Sequence, residues 1–295
     1  MKLATERSFP KRGKGSGLNH GQSNEAKQSA FNDAIFNGAI TPSGRALVAC
    51  SDEAAVQASV RLAADEGIPV AVVAGGHDMW ARSFSSDNVI LDIRRLSHVR
   101  VDRAASEVTL GGGALTKNVI ASLPRDLVTV TGTISSVGLT GFALGGGYGT
   151  LNSRLGLGCD NIRRARVVLA DGSVAIASEN DDADLLWALR GGGSGFGVVT
   201  SLTMKVHLMP RVLHAMIVWP LDHAKNAILQ AQDLLDRHPV ELSFFMGFIT
   251  LPTGEKAMFA APVWSGDPVV AESIMTAVTT QQGAMIIHQT WSAYK

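Results

Sequence analysis

Ile68-Pro69-Val70-Ala71-Val72-Val73-Ala74-Gly75-Gly76-His77-Asp78 is the stretch that decides how the rest of the chain is read. An unbroken apolar run closing on paired glycines is a buried strand that turns sharply, with backbone free to approach another group closely. The side chain delivered at the turn is a histidine, His77. Taken alone, residues 75–78 also fit an ordinary structural turn, so their meaning depends on their surroundings. Upstream, Arg45-Ala46-Leu47-Val48-Ala49-Cys50 reads as a short strand, and Ser51-Asp52-Glu53 as the N-cap and first turn of a helix. Val56, Val60 and Leu62-Ala63 form that helix's apolar face, which ends at Gly67. Strand, helix and strand make a βαβ unit, and such units place ligands at the carboxyl ends of their strands, where His77 falls.

The chain has 295 residues, 46% of them hydrophobic, enough for two domains or one large one with a real core. Lys plus Arg and Asp plus Glu are equal at 26 each, so no net field draws nucleic acid or an anionic membrane. Cys50 and Cys159 stand far apart with no Cys-x-x-Cys. That argues against a zinc site and a disulfide-stapled scaffold, and suits a reducing, cytoplasmic compartment. Residues 1–7 lack the apolar core of a signal peptide, and no apolar run approaches membrane-spanning length. Residues 1–28, rich in Lys, Arg, Gly, Ser, Asn and Gln without periodicity, are expected to be a mobile basic tail, with ordered structure beginning near Phe31.

Downstream of His77, Asn88-Val89-Ile90-Leu91-Asp92 and Glu107-Val108-Thr109-Leu110 are strand-like, and residues 114–123 read as a helix broken at Pro124. The densest glycine region follows, Thr131-Gly132-Thr133-Ile134-Ser135-Ser136-Val137-Gly138-Leu139-Thr140-Gly141-Phe142-Ala143-Leu144-Gly145-Gly146-Gly147-Tyr148-Gly149. Backbone N–H groups and small hydroxyls dominate it, as a surface wrapping a pyrophosphate or a flat ring requires. Val137, Leu139, Phe142, Leu144 and Tyr148 interleave apolar anchors, which suits a packed loop. Two alternating apolar runs across Asp171-Gly172 predict a hairpin. Residues 180–190 carry acids in the first turn and Arg190 in the last, a capped helix, before Gly191-Gly192-Gly193-Ser194-Gly195-Phe196-Gly197 leads into a strand over 198–206. A domain boundary is expected near Pro210. Beyond it, residues 215–219, 242–249 and 256–264 read as strands of a new sheet, with helices over 222–237 and 268–282 laid across it.

No Gly-x-Gly-x-x-Gly occurs at the glycine clusters and no Gly-x4-Gly-Lys-Ser/Thr anywhere, which demotes nicotinamide Rossmann and P-loop readings. The eight histidines make no His-Glu-x-x-His or other metal spacing. Ser194 in its glycine run follows a helix instead of a strand, so a nucleophile elbow fails on context.

Gly75-Gly76-His77, the Val130-x-Gly132-x4-Val137-Gly138 spacing running on to Gly145-Gly146-Gly147-Tyr148-Gly149, residues 157–161, Asp171-Gly172, Leu186-Trp187-Ala188-Leu189-Arg190-Gly191-Gly192 and Phe196-Gly197-Val198-Val199-Thr200 occur in one order. Together, over roughly residues 40–210, they resemble the FAD-binding domain of the vanillyl-alcohol oxidase and p-cresol methylhydroxylase (PCMH) superfamily, and within it the berberine-bridge-enzyme-like oxidases. The resemblance implies an α+β fold: a two-subdomain PCMH-type FAD-binding domain over 29–210, then a partial substrate domain over 211–295 with an antiparallel sheet and helices on one face.

Carried over residue by residue, the resemblance implies that His77 bonds the 8α-methyl carbon of FAD. It puts Ala74, Gly75, Gly76 and Asp78 in the loop around the pyrophosphate. It assigns Thr131, Gly132, Thr133, Ser136, Val137, Gly138, Gly141, Leu144 and Gly149 to the lining of the flavin and its phosphates, and Asn161, Ile162 and Val199 to further dinucleotide contacts. Two departures stand out. Many relatives carry arginine where this chain has Val73, so one positive charge near the phosphates is missing. Doubly linked members carry cysteine where this chain has Ile134, so a single histidyl link is expected, with no metal. The implied chemistry is hydride transfer from a small-molecule alcohol, sugar, amine or alkaloid-like substrate to flavin N5, with molecular oxygen as acceptor and hydrogen peroxide as product. The base that takes the substrate proton has no match before Lys295. A flavin-binding protein without turnover is the alternative expectation.

Overall fold

The computed structural model describes residues 24–294. In chain order it forms α1 (Asn24–Asn32), β1 (Ala46–Ala49), α2 (Glu53–Asp65), β2 (Val70–Val73), β3 (Val89–Asp92), β4 (Val99–Asp102), β5 (Glu107–Gly111), α3 (Thr116–Ser122) and β6 (Leu127–Val128). Then come α4 (Leu139–Leu144), α5 (Asn152–Leu155), β7 (Ile162–Val168), β8 (Val174–Ser178), α6 (Ala183–Gly192), β9 (Val198–Lys205) and β10 (His207–Leu208). The last elements are β11 (Val212–Pro220), α7 (Ala224–Arg237), β12 (Leu242–Thr250), β13 (Lys256–Trp264), α8 (Pro268–Thr279) and β14 (Met285–Ser292). Residues 1–23 of the expected tail lie outside the described residues. Its last residues, from Asn24, form α1 instead, because the helix carries Phe31 into an apolar cluster with Ala34, Val73 and Ile90. Tertiary packing overrides weak local propensity there.

The chain divides into two compact units. The first comprises residues up to Ser122, Ile134–Gly147 and Ile162–Lys205. It holds a three-stranded parallel sheet in the order β1-β3-β2 and a five-stranded antiparallel sheet in the order β4-β5-β9-β7-β8. The strand–helix–strand reading of residues 45–74 holds, with β3 inserted between the two strands. Asp52 caps α2 by accepting from the Ala55 N–H at 2.8 Å. Val56, Val60 and Ala63 of α2 are buried with Val89 and Leu91 of the parallel sheet and with Val168 and Val198 of the antiparallel one. One helix face thus packs against strands of both sheets. The glycine turn after β7 is a three-residue loop closed by Leu169 N–H to Ser173 O at 2.9 Å, with Gly172 at φ +76°, where a residue with a side chain would be strained. The Gln57 amide and Arg61 guanidinium of α2 both donate to the Gly172 carbonyl at 2.8 Å.

The second unit comprises Leu123–Thr133, Tyr148–Asn161 and the chain from Val206. Its four-stranded antiparallel sheet runs β12-β13-β11-β14. Leu213, Ala215, Ile217 and Trp219 alternate along β11 onto one face, where they bury with Met258, Ala260 and Trp264 of β13. Ala227 and Leu234 of α7 and Ala271, Ile274, Met275 and Val278 of α8 cover that face. The α+β architecture, with helices on one face of this sheet, is as the sequence implies. Strands β4 and β14 and the short β6–β10 pair are additions that the sequence pattern does not announce.

Candidate cofactor site

In the first unit, β2 runs to Val73, and the chain then passes through Ala74 and Gly75 against the glycine-rich segment. A Cβ on Gly75 would stand 2.2 Å from the Gly138 nitrogen, and one on Gly138 would stand 2.8 Å from the Gly75 nitrogen. Only glycines allow two backbones to meet so closely. Gly76 turns the chain at φ +66°, with the site of its missing Cβ 2.1 Å from the Ala34 carbonyl. The turn delivers His77 so that its Nε2 lies 2.9 Å from Ser136 Oγ and its ring stacks on Phe36, centroids 4.2 Å apart. Burial pushes the His77 pKa below its ordinary 6.5, which keeps the ring neutral near pH 7. The Asp78 carboxylate accepts from the backbone N–H of Arg82 at 2.8 Å and pairs with its guanidinium at 3.0 Å. Arg82 first, then backbone N–H groups, holds that acid below the usual range. What Asp78 presents to a ligand is its backbone.

The segment carrying Ser136 is fixed from behind. Thr116 N–H donates to Val137 O and Lys117 N–H to Ser135 O, each at 2.9 Å, and Leu139 N–H donates to Ala114 O at 3.0 Å. On α4, a Cβ at Gly141 would meet nothing within 4 Å, and the same holds for Gly146, Gly191 and Gly195. Gly193 N–H donates to Leu144 O at 3.0 Å, which brings the glycine run after α6 to the end of α4. The result is glycine backbone facing open space at these four positions. Phe36, Met79, Trp80 and Ile134 remain exposed in this unit, and the Asn37 amide donates to Met79 O at 2.8 Å. Ile162 and Val199 are buried in the core, so they contribute no side-chain contact to an open site. Val73 is also buried, among Phe31, Ala34 and Ile90.

In the second unit, Thr131 is buried and its carbonyl lies 2.1 Å from where a Gly149 Cβ would be. Gly149 N–H donates to Asn152 Oδ1 at 2.8 Å, and Thr133 is exposed beside half-buried Gly132. Asn161 is 1% exposed; its Nδ2 donates to Leu155 O at 2.9 Å and Leu157 O at 2.8 Å, and its Oδ1 lies 2.7 Å from His207 Nε2. Its side chain is fully occupied in shaping its own loop. Tyr294, which the sequence did not single out, hydrogen-bonds Thr150 Oγ1 at 2.6 Å, beside Gly149.

The structure therefore joins Ala74, Gly75, Gly76, His77 and Asp78 to Ser136, Val137 and Gly138 in one unit, and Thr131 to Gly149 in the other. The first group supplies a closely packed glycine turn and a neutral, oriented imidazole, and Gly141, Gly146, Gly191 and Gly195 of the same unit supply open backbone of the kind that flat and anionic parts of a flavin dinucleotide need. Among the described residues, no three His, Cys, Asp or Glu side chains gather as a metal site, and no helix is long and apolar enough to cross a membrane.

Residues 44–178 match the family model described as "FAD binding domain". The chain is 34% identical over 208 residues to an FAD-linked oxidoreductase, pgmH, of Aspergillus terreus, an alignment covering 70% of this chain and 42% of that protein. It is 36% identical over 172 residues to (R)-6-hydroxynicotine oxidase of Paenarthrobacter nicotinovorans, covering 58% of this chain and 38% of that one. Among solved structures, 6-hydroxy-D-nicotine oxidase from Arthrobacter nicotinovorans superposes with a TM-score of 0.85 at 26% identity, over 99% of this chain and 64% of that one. The chain thus spans about two fifths of the length of these two curated relatives. Residues 44–178 thus carry an FAD binding domain, and the chain is similar to FAD-linked oxidoreductases and oxidases of the vanillyl-alcohol oxidase and PCMH family.

Proposed function

We propose that this chain holds FAD through a single covalent bond to His77 and serves as the flavin-bearing part of an oxidoreductase. The observation that carries this reading is the setting of His77: a neutral imidazole at a strand's carboxyl end, oriented by Ser136 and Phe36, on a turn whose glycines bring it against the glycine-rich segment. When bound, FAD supplies an acceptor for a hydride from an alcohol, sugar, amine or alkaloid-like substrate and returns the two electrons to molecular oxygen as hydrogen peroxide. The chain's own residues position it. Ser136 engages Nε2 of His77, which leaves Nδ1 as the nitrogen for the bond. Residues 74–78, Ser136, Val137, Gly138, Gly141 and Leu144 line the approach. Thr131, Gly132, Thr133, Gly149 and the backbone of Asn161, Ile162 and Val199 are assigned to the dinucleotide through the family resemblance. With Val73 in place of arginine, backbone N–H groups carry the pyrophosphate charge. Ile134 in place of cysteine makes the link single. The two free, buried cysteines suit a reducing, cytoplasmic setting.

A flavin-binding protein without turnover is the second reading, favoured by the buried Val73. The test is purification followed by denaturing electrophoresis and a peroxide assay over alcohols, sugars and amines. The expected result is a fluorescent flavin band that His77→Ala abolishes, with peroxide released on at least one substrate. A band without peroxide across the panel selects the second reading, and protein that stays colourless after FAD is added overturns both.

A further inference from the structure

The sheet of the second unit has one face covered by α7 and α8. On the other, β11 and β14 bring two histidines together. His214 Nδ1 and His288 Nε2 are 3.3 Å apart, and their rings meet edge to face with centroids 5.3 Å apart. The pair is diagonal: His214 is opposite Thr290, and His288 is opposite Met216. A bulge in the pairing falls between Met216 and Ile217, immediately beside His288. Bulges re-aim the side chains next to them.

We propose that His214 and His288 form a binding site for a borderline-to-soft transition-metal ion of the copper, nickel or zinc class. Two nitrogen ligands held at about 2.0–2.1 Å from one ion lie about 2.9–3.4 Å apart, from square-planar to tetrahedral angles. The observed 3.3 Å falls in that interval, so the two nitrogens span an ion that sits about 1.2 Å to one side of the line between them, and the rings tilt toward it from their present hydrogen bond. With both rings neutral, His288 carries its hydrogen on Nδ1 once the ion is bound and no proton need be released. The far nitrogen of His214 is already set for this. Nε2 lies 2.9 Å from Ser292 Oγ, an outer hydrogen bond of the kind that orients metal-ligating histidines.

Met216, which pairs with His288 across the strands, lies on the same face as His214 and brings a soft thioether to that face. Among the described residues, no third His, Cys, Asp or Glu joins the pair, so water completes the coordination. A set without carboxylates selects against magnesium and calcium.

The test is equilibrium dialysis of the metal-stripped 295-residue chain against Cu2+, Ni2+, Zn2+ and Mg2+, with electron paramagnetic resonance of the copper form. We expect one equivalent of each of the first three, copper tightest, none of magnesium, and two nitrogens coupled to copper. His288→Ala, on the exposed edge strand, and His214→Ala should each abolish the stoichiometric site with the circular dichroism spectrum unchanged. Ser292→Ala should weaken it about ten- to a hundred-fold. No stoichiometric binding, a single coupled nitrogen, or binding that survives His288→Ala overturns the proposal. The flavin is not part of this test, so its outcome is independent of the reading of His77.

Discussion

The Nε2 of His77 lies 2.9 Å from the Oγ of Ser136, across 59 residues of sequence. This one hydrogen bond fixes the ring that the first βα crossover delivers to the middle of the glycine-rich segment, and on the proposed reading it leaves Nδ1 to bond the flavin. A covalent bond to flavin needs an imidazole lone pair, and burial has already moved the His77 pKa below 6.5. Protonation removes the lone pair. Covalent FAD incorporation into apoprotein should therefore be independent of pH near 7 and slow only as pH falls through the lowered value. Ser136→Ala frees the ring and should slow incorporation several-fold without abolishing it, whereas His77→Ala abolishes it. The readout is the growth of in-gel flavin fluorescence with time at several pH values. An incorporation rate that keeps rising above pH 7 would contradict the neutral imidazole.

The glycines separate into two kinds, and alanine tells them apart. At Gly75 and Gly76 an added Cβ meets backbone at 2.2 and 2.1 Å, and Gly76 also sits at φ +66°. Overpacking plus left-handed strain should cost about 2–4 kcal/mol at Gly76, and overpacking alone about 1–3 kcal/mol at Gly75. Gly141 lies inside α4 with nothing within 4 Å of its Cβ position. Gly141→Ala should raise stability by about 0.5–1 kcal/mol through helix propensity while weakening FAD binding, because the methyl group enters that open space. Urea denaturation of the apoprotein and FAD titration measure the two effects separately. A Gly141→Ala protein that binds FAD as well as the parent would remove α4 from the site.

Much of the scaffold could be read locally. The β13 strand over 256–264 and the capped helix α6 follow from alternation and end signals in adjacent residues. What could not be read is what depends on distant partners. Val99-Arg100-Val101-Asp102 is short and half exposed, and it is a strand only because β5 pairs with it. Met285–Ser292 is exposed along most of its length and is ordered by β11. The meeting of Gly75 with Gly138 is a long-range backbone contact that no local pattern encodes. Asn161 shows the converse: the motif marks it as a dinucleotide contact, but its side chain is fully occupied by Leu155, Leu157 and His207.

Glu53 ties α2 to the antiparallel sheet. Its carboxylate accepts from Arg166 Nη2 at 2.7 Å and Nε at 3.0 Å and from Thr200 Oγ1 at 2.6 Å. The Arg166 hydrogen bonds first, then the Thr200 hydroxyl, lower its pKa below 4.5, against the opposing effect of partial burial. A depressed carboxylate stabilises the fold above its unfolded value, and that contribution is lost as pH falls through the folded value. Glu53→Gln should cost about 1 kcal/mol at pH 7, the site being partly open to solvent. The difference from the parent should shrink as the pH drops below 4. Denaturant midpoints of both proteins across that window check the sign. A difference constant with pH would place the cost in packing.

Tyr294 tests the far end of the chain. The sequence holds two tyrosines, so Tyr148→Phe, at an exposed position, leaves Tyr294 as the only phenol to titrate. Burial raises its pKa above 10, partly opposed by hydrogen bonds to Thr150 and Thr131. In Tyr148→Phe protein the tyrosinate absorption should stay absent as pH passes 10 and develop only at higher pH or on unfolding. Because the unfolded phenol ionises first, the contribution of Tyr294 to stability is complete below pH 10 and declines above it. Tyr294→Phe removes the 2.6 Å bond to Thr150 and should cost about 1 kcal/mol at neutral pH. A phenol titrating at its ordinary value in folded protein would mean that Tyr294 is not held beside Thr150, and that the segment around Gly149 lacks this support.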